Sequence, residues 1–179
     1  MFAIVDLEST GGKPSDDRIM EIAIVLHDGQ QIVDQYESLI NPERDIQEFV
    51  QRLTGIKGSM VEVAPKFSAL AQEIDSLTQG CVFVAHNVSF DYRMVQSAFK
   101  RHKMSYTRPT LCTVKLAQAL IPSSEKYNLD HLCKSMNIDN TSRHRAMGDC
   151  QATAELLHLL IESHGIDAVM DHVEGGVRA

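Results

Sequence analysis

At 179 residues the chain is slightly longer than one average domain, and a chain of that size buries roughly 70% of the surface it exposes when unfolded, so it needs neither a disulfide framework nor a structural metal to fold. It is 44% hydrophobic and 23% charged, and no apolar run approaches the ~20 residues of a membrane span. Its net charge of −7, from 17 Lys and Arg against 24 Asp and Glu, argues against a nucleic-acid binder that works through a basic patch alone. The first residues, Met1 to Asp6, lack the basic segment of a secretory signal, so one cytoplasmic domain over residues 1–179 is expected. Cys81, Cys112, Cys133 and Cys150 form no C-x-x-C pair and read as reduced thiols rather than a zinc site.

Residues 2–7 are an apolar run that ends around two carboxylates, Asp6 and Glu8, before the turn chemistry of Ser9-Thr10-Gly11-Gly12, which predicts a buried first strand. Residues 19–26 are again apolar and β-branched, and Asp28-Gly29 turns them into residues 31–40 as a hairpin. Helices follow at about 45–53 and 58–63, then from Pro65, where Phe67, Leu70, Ala71, Ile74 and Leu77 fall at helical spacing. Residues 81–85 are continuously apolar, as expected of a strand covered on both faces, and deliver His86 and Asn87 to its end. A helix over about 89–101 carries Asp91 in its first turn, residues 109–113 predict a fifth strand and 114–120 a helix. Asn128 caps a helix to Met136, residues 145–163 form the longest helix with Asp149 near its start, and residues 164–179 read as an extension partly frayed around Gly175-Gly176. Three antiparallel strands followed by parallel ones, with helices on both faces, make a mixed α/β sheet, which binds ligands at the carboxyl ends of its strands.

Three short patterns fall at those ends: Asp6-x-Glu8, Asn87-x3-Asp91 and His144-x4-Asp149. Each alone has a bland reading, because Asp suits turns and gains from the dipole at a helix N-terminus. All three in this order are informative. At the end of a strand Asp6 and Glu8, two residues apart, share one face, and Asp91 and Asp149 arrive from two helices, so four carboxylates converge. Such a cluster repels itself and holds its protons more tightly. Hard divalent cations, Mg²⁺ or Mn²⁺, resolve the conflict with all-oxygen ligands, and two of them about 3.5–4 Å apart clamp an in-line phosphoryl transfer. Two ions add four charges, taking −7 to −3, which weakens the charge objection. Arg143 and Arg145 flank His144 and favour the neutral imidazole that a base requires. Lys100, Arg101, His102, Lys103 and Arg108 form a basic cluster that suits a helix C-terminus better than phosphate contact.

The runs Phe2 to Gly11, Val84-Ala85-His86-Asn87-Val88-Ser89-Phe90-Asp91 and His144-Arg145-Ala146-Met147-Gly148-Asp149 resemble the three exonuclease motifs of the DnaQ-like (DEDDh) 3′→5′ exonucleases. Leu53-Thr54-Gly55-Ile56 and Asn128-Leu129-Asp130-x-Leu132-Cys133 resemble further landmarks of that family, and the likeness covers residues 2–163. The resemblance implies a ribonuclease H-like fold, like that of the exonuclease domain of the DNA polymerase III epsilon subunit. It also implies metal-dependent hydrolysis of the 3′-terminal phosphodiester with release of nucleoside 5′-monophosphates. Carried over, Asp6, Glu8 and Asp149 hold the first metal, Asp6 bridges to the second, Asp91 supports the second through water, and His144 is the general base. Ser9, Thr10 and Gly11, with the turn of Leu53, Thr54 and Ile56, seat the terminal nucleotide, and His86, Asn87 and Phe90 stand beside it. Ser9 replaces the family's usual Thr and keeps its hydroxyl.

The expected substrate is a single-stranded or frayed DNA 3′ end. With no Trp and 6% aromatic residues the chain offers no broad stacking platform, so it grips one or two terminal nucleotides. Trimming of RNA 3′ ends is the alternative, decided by contacts to the 2′-OH. An inactive binding module is expected to have lost a carboxylate or the histidine, and all five positions are filled here. The short sequence after the last long helix gives no support to stable attachment to a polymerase.

Overall fold

The computed structural model describes residues 1–175 of the chain. Strands β1 (Phe2–Ser9), β2 (Ile19–His27) and β3 (Ile32–Leu39) come first. Helices α1 (Glu48–Thr54), α2 (Gly58–Glu62) and α3 (Phe67–Thr78) lead into β4 (Val82–Ala85) and α4 (Val88–Arg101). Then follow β5 (Thr110–Cys112), α5 (Thr113–Leu120), α6 (Leu129–Met136), α7 (Ala146–His164) and α8 (Ile166–Met170). The strands form one five-stranded sheet in the order β3-β2-β1-β4-β5, with β1, β2 and β3 antiparallel and β4 and β5 parallel to β1. This is the mixed sheet that the hydrophobic pattern predicts.

Strand alternation divides the core in two. Ala3, Val5 and Leu7 of β1, with Ile22 and Ile24 of β2 and Phe83 of β4, pack under α3 and α4, through Phe67, Ile74, Met94 and Phe99. Phe2 and Ile4, with Ala23, Val25 and Val84, pack under α5, α6 and α7, through Leu116, Leu132, Leu157 and Leu160. Both central strands are thus apolar on two faces, whereas the edge strand β3 is exposed over most of its first half. A third cluster joins Ile46, Val50, Ile56 and Val61 of the α1–α2 region to Met20. All four cysteines are free, and three are buried.

Two boundaries differ from the sequence pattern. β1 runs on to Ser9 instead of stopping near residue 7, because its last residues remain paired with β2 from Leu7↔Ile22 to Ser9↔Ile19, through an irregularity between Glu8 and Ser9. The segment after α7 is more ordered than expected: α8 packs Val169 into the core, and Glu174 exchanges two 2.8 Å backbone hydrogen bonds with Thr110 beside β5. Its polar composition hides this, since backbone pairing needs no apolar side chain. The expected fraying at Gly176 lies outside the described residues.

Candidate active site

Asp6 and Glu8 continue the even-numbered face of β1, the face that Phe2 and Ile4 bury under α7. Their shared direction therefore follows from the two-residue strand period itself. The first turn of α7 brings Asp149 to the same place, so that carboxylate oxygens of Asp6, Glu8 and Asp149 lie within 4.8 Å of one another. Asp91 enters from the first turn of α4, buried, and stands outside this tight triplet while its charge still bears on Asp6.

Burial and mutual repulsion make the group reluctant to ionise. Burial, then Asp91, Asp149, Glu8 and Glu21, push the Asp6 carboxyl well above the usual range. Glu8 is pushed up to about 7 by burial and by Asp149 and Glu21, with Arg145 opposing. Asp91 is pushed up to about 8, chiefly by burial, against the stabilising backbone amides of Asp91 and Leu7. Asp149 is also raised by burial, partly offset by the His144 amide. Protons relieve such crowding only by surrendering the charge, whereas a divalent cation relieves it while keeping all the oxygens as ligands. The donor set is entirely carboxylate, which suits a divalent cation that takes oxygen ligands.

His144 lies in the left-handed region, φ 58°, and its backbone N–H donates to Asp149 Oδ2 at 2.9 Å. The loop can fold back on α7 because residue 148 is glycine: a Cβ there would overlap the carbonyl oxygen of Ser142. Both flanking arginines are engaged in ion pairs of their own. Arg143 pairs with Asp130 at 2.6 Å, and Arg145 reaches across to Glu21.

The residues expected to seat a nucleotide divide into surface and support. Ser9 donates to the Gly11 carbonyl, and buried Thr10 donates to Asp17 at 3.1 Å and accepts from the Arg18 amide at 3.1 Å. A Cβ at Gly11 would overlap the Asp17 carboxylate, so this turn is fixed by its own side chains and presents mainly backbone. Leu53 is 54% exposed, but the side chains of Thr54 and Ile56 are buried: Thr54 Oγ1 donates to the Val50 carbonyl at 3.0 Å and accepts from the Ile56 amide at 3.1 Å. Their side chains shape the turn. His86 is likewise committed, with Nδ1 at 2.9 Å from Thr113 Oγ1 and Nε2 at 2.9 Å from the Tyr127 carbonyl, and burial lowers its pKa. Asn87 is exposed in the left-handed region at φ 75°, and half-buried Phe90 packs against the core. Two arginines of the basic cluster are committed within the fold. Arg101 donates to the carbonyls of Pro14, Ser15 and Asp17, and Arg108 binds Asp75 and the Thr78 carbonyl while lying over the Tyr106 ring.

Sequence reasoning missed Glu21, a buried acid directly opposite Glu8 in the β1–β2 register. Its signal was a lone carboxylate inside the apolar run of residues 19–26.

Comparison with known proteins agrees with this geometry. The exonuclease family model RNase_T matches residues 3–157. The 3′-5′ exonuclease DinG of Staphylococcus aureus is 36% identical over 162 residues, and the alignment covers 90% of this chain but 18% of DinG, so the chain spans under a fifth of that relative's length. A structure of Exonuclease X in complex with 5′-overhanging duplex DNA superposes with a TM-score of 0.78 at 29% identity, covering 96% of this chain and 98% of the other. The nuclease domain of 3′hExo, a DEDDh family member bound to rAMP, superposes with a TM-score of 0.80 over 91% of this chain and 92% of its own, and at 17% identity it shows the shared ribonuclease H-like fold. With the carboxylates at the starts of α4 and α7 and the end of β1, and the matched model spanning most of the chain, the protein belongs to the RNase_T exonuclease family, in keeping with the resemblance to DnaQ-like exonucleases read from its motifs.

Proposed function

We propose that the chain hydrolyses the 3′-terminal phosphodiester of single-stranded or frayed DNA and releases nucleoside 5′-monophosphates. The observation that carries this reading is the convergence of Asp6, Glu8 and Asp149 within 4.8 Å, in a chain whose relatives are named 3′-5′ exonucleases and include a protein solved with overhanging DNA. Asp6, Glu8 and Asp149 would hold one divalent cation, and Asp6 with Asp91 a second. When bound, the cations supply electrophilic stabilisation of the charge that develops on the phosphoryl oxygens.

The chain's own groups do the rest. Half-buried His144, tied through its amide to Asp149, takes the proton from the attacking water. The backbone of Ser9 to Gly11 and the exposed Leu53 bear on the terminal nucleotide, and Asn87 borders it. A paired end must first unpair to enter, which favours single-stranded or frayed 3′ ends.

Incubating the protein with matched 5′-labelled DNA and RNA oligonucleotides, with Mg²⁺, Mn²⁺ or chelator, tests the reading. Stepwise shortening from the 3′ end with release of mononucleotides, abolished by chelator and faster on single-stranded DNA than on blunt duplex or RNA, is the expected result. Internal cleavage, or full turnover in chelator, would overturn it.

A further inference from the structure

We infer that Glu21 and Arg145 are a pair of positioning residues that hold the first turn of α7, and with it Asp149 and His144, against the carboxylates of β1. The inference rests on the nuclease reading above and deepens it. Glu21 is only 4% exposed, and a carboxylate that deeply buried needs a partner to stay charged. It has two. Arg145 Nε donates to both Glu21 oxygens, at 3.0 and 3.1 Å, and the backbone N–H of Ala146 donates to Oε2 at 2.9 Å. Ala146 is the first residue of α7 and Arg145 its N-cap, in extended conformation with φ −130° and no capping bond from its own side chain. A buried acid from β2 therefore takes the place of the usual N-cap side chain for the helix that delivers Asp149.

The placement is specific to the site. Glu21 sits across the strand pair from Glu8, so the bond to Ala146 ties the helix start to the register position of a metal-site carboxylate. His144 and Asp149 lie on either side of the tethered Arg145-Ala146 step, and Asp149's amide donates to the Arg145 carbonyl at 3.2 Å. Groups that orient metal-binding side chains in this way typically change metal affinity or activity by about 10–100-fold when removed.

The test compares wild type with Glu21→Gln, Glu21→Asp, Arg145→Gln and the Glu21→Gln/Arg145→Gln double variant. Asp75→Asn, which breaks an ion pair with Arg108 away from the site, serves as the stability control. Circular dichroism establishes folding, Mn²⁺ binding is followed by electron paramagnetic resonance without substrate, and kcat and KM are measured on a labelled oligonucleotide. Expected are losses of about 10–100-fold in kcat or Mn²⁺ affinity for each Glu21 and Arg145 variant, with KM within about threefold of wild type. Glu21→Asp should be impaired although it keeps its charge, because the shorter side chain cannot span to both Arg145 and Ala146. The double variant should lose no more than the single ones, since both act through one contact. Asp75→Asn should lose stability alone.

Wild-type kcat and Mn²⁺ affinity in Glu21→Gln, a normal Glu21→Asp beside an impaired Glu21→Gln, or a rise in KM alone in Arg145→Gln would each overturn the assignment. If the wild type itself cleaves no oligonucleotide with either metal, the nuclease reading fails, and the Mn²⁺ isotherms still decide the positioning claim.

Discussion

His144 illustrates how much a single position is asked to do. Its φ of 58° is one that Asn and Gly tolerate and most side chains resist, so His144→Ala would mix loss of the imidazole with backbone strain. His144→Asn separates the two. It should lower turnover by about 10²–10⁴-fold, the usual worth of general-base assistance, while Mn²⁺ affinity holds, because the amide bond to Asp149 survives. Wild-type turnover, or a loss explained by collapsed metal affinity, would show that His144 is not the base. Gly148→Ala is the companion case: its methyl would overlap the Ser142 carbonyl, and overpacking of this kind costs about 1–3 kcal/mol, readable as a lower urea midpoint. The convergence of Asp6, Glu8 and Asp149 was legible because carboxylates at strand ends and helix starts are chemically conspicuous. The bonding of His86 was not legible, because its contacts with Thr113 and Tyr127 are made across the fold and leave no mark on the spacing.

At the scale of elements, β1 and β2 were readable because strands buried on two faces show as near-continuous apolar runs. The capping of α6 was readable too: Asn128 accepts from the His131 amide at 2.9 Å, as its position before an apolar-periodic run predicts. Asn128→Ala should therefore cost about 1 kcal/mol of stability in urea titration, and an unchanged midpoint would show that the cap contributes nothing net. The start of α7 could not be read in the same way. Its N-cap is Arg145, a poor capping residue by type, and the acceptor is Glu21, 125 positions away from Ala146 in sequence. The last segment was equally opaque, since Glu174 is ordered by backbone bonds to Thr110.

For the whole molecule, the surplus of acid is partly a property of one place, and this makes stability depend on pH and metal together. Glu8 rises from 4.5 to about 7 and Asp91 from 3.8 to about 8 in the folded chain. Between those limits the folded protein keeps protons that the unfolded chain has released. The metal-free fold is therefore favoured most below about pH 4 with respect to these two groups, and that contribution is lost as pH rises through 7 to 8. A bound cation acts in the opposite sense: it needs ionised ligands, competes with their protons, and stabilises the folded state by mass action. Melting temperatures in chelator should accordingly fall between about pH 5 and pH 8, and saturating Mn²⁺ should raise them much more at pH 8 than at pH 5. Asp91→Asn removes one of the two raised carboxyls, so its chelator curve should be flatter than wild type over that window. A wild-type curve that rises with pH in chelator and ignores Mn²⁺ at pH 8 would mean that the cluster is neither crowded in the free protein nor relieved by a cation, and the active-site assignment would fall with it.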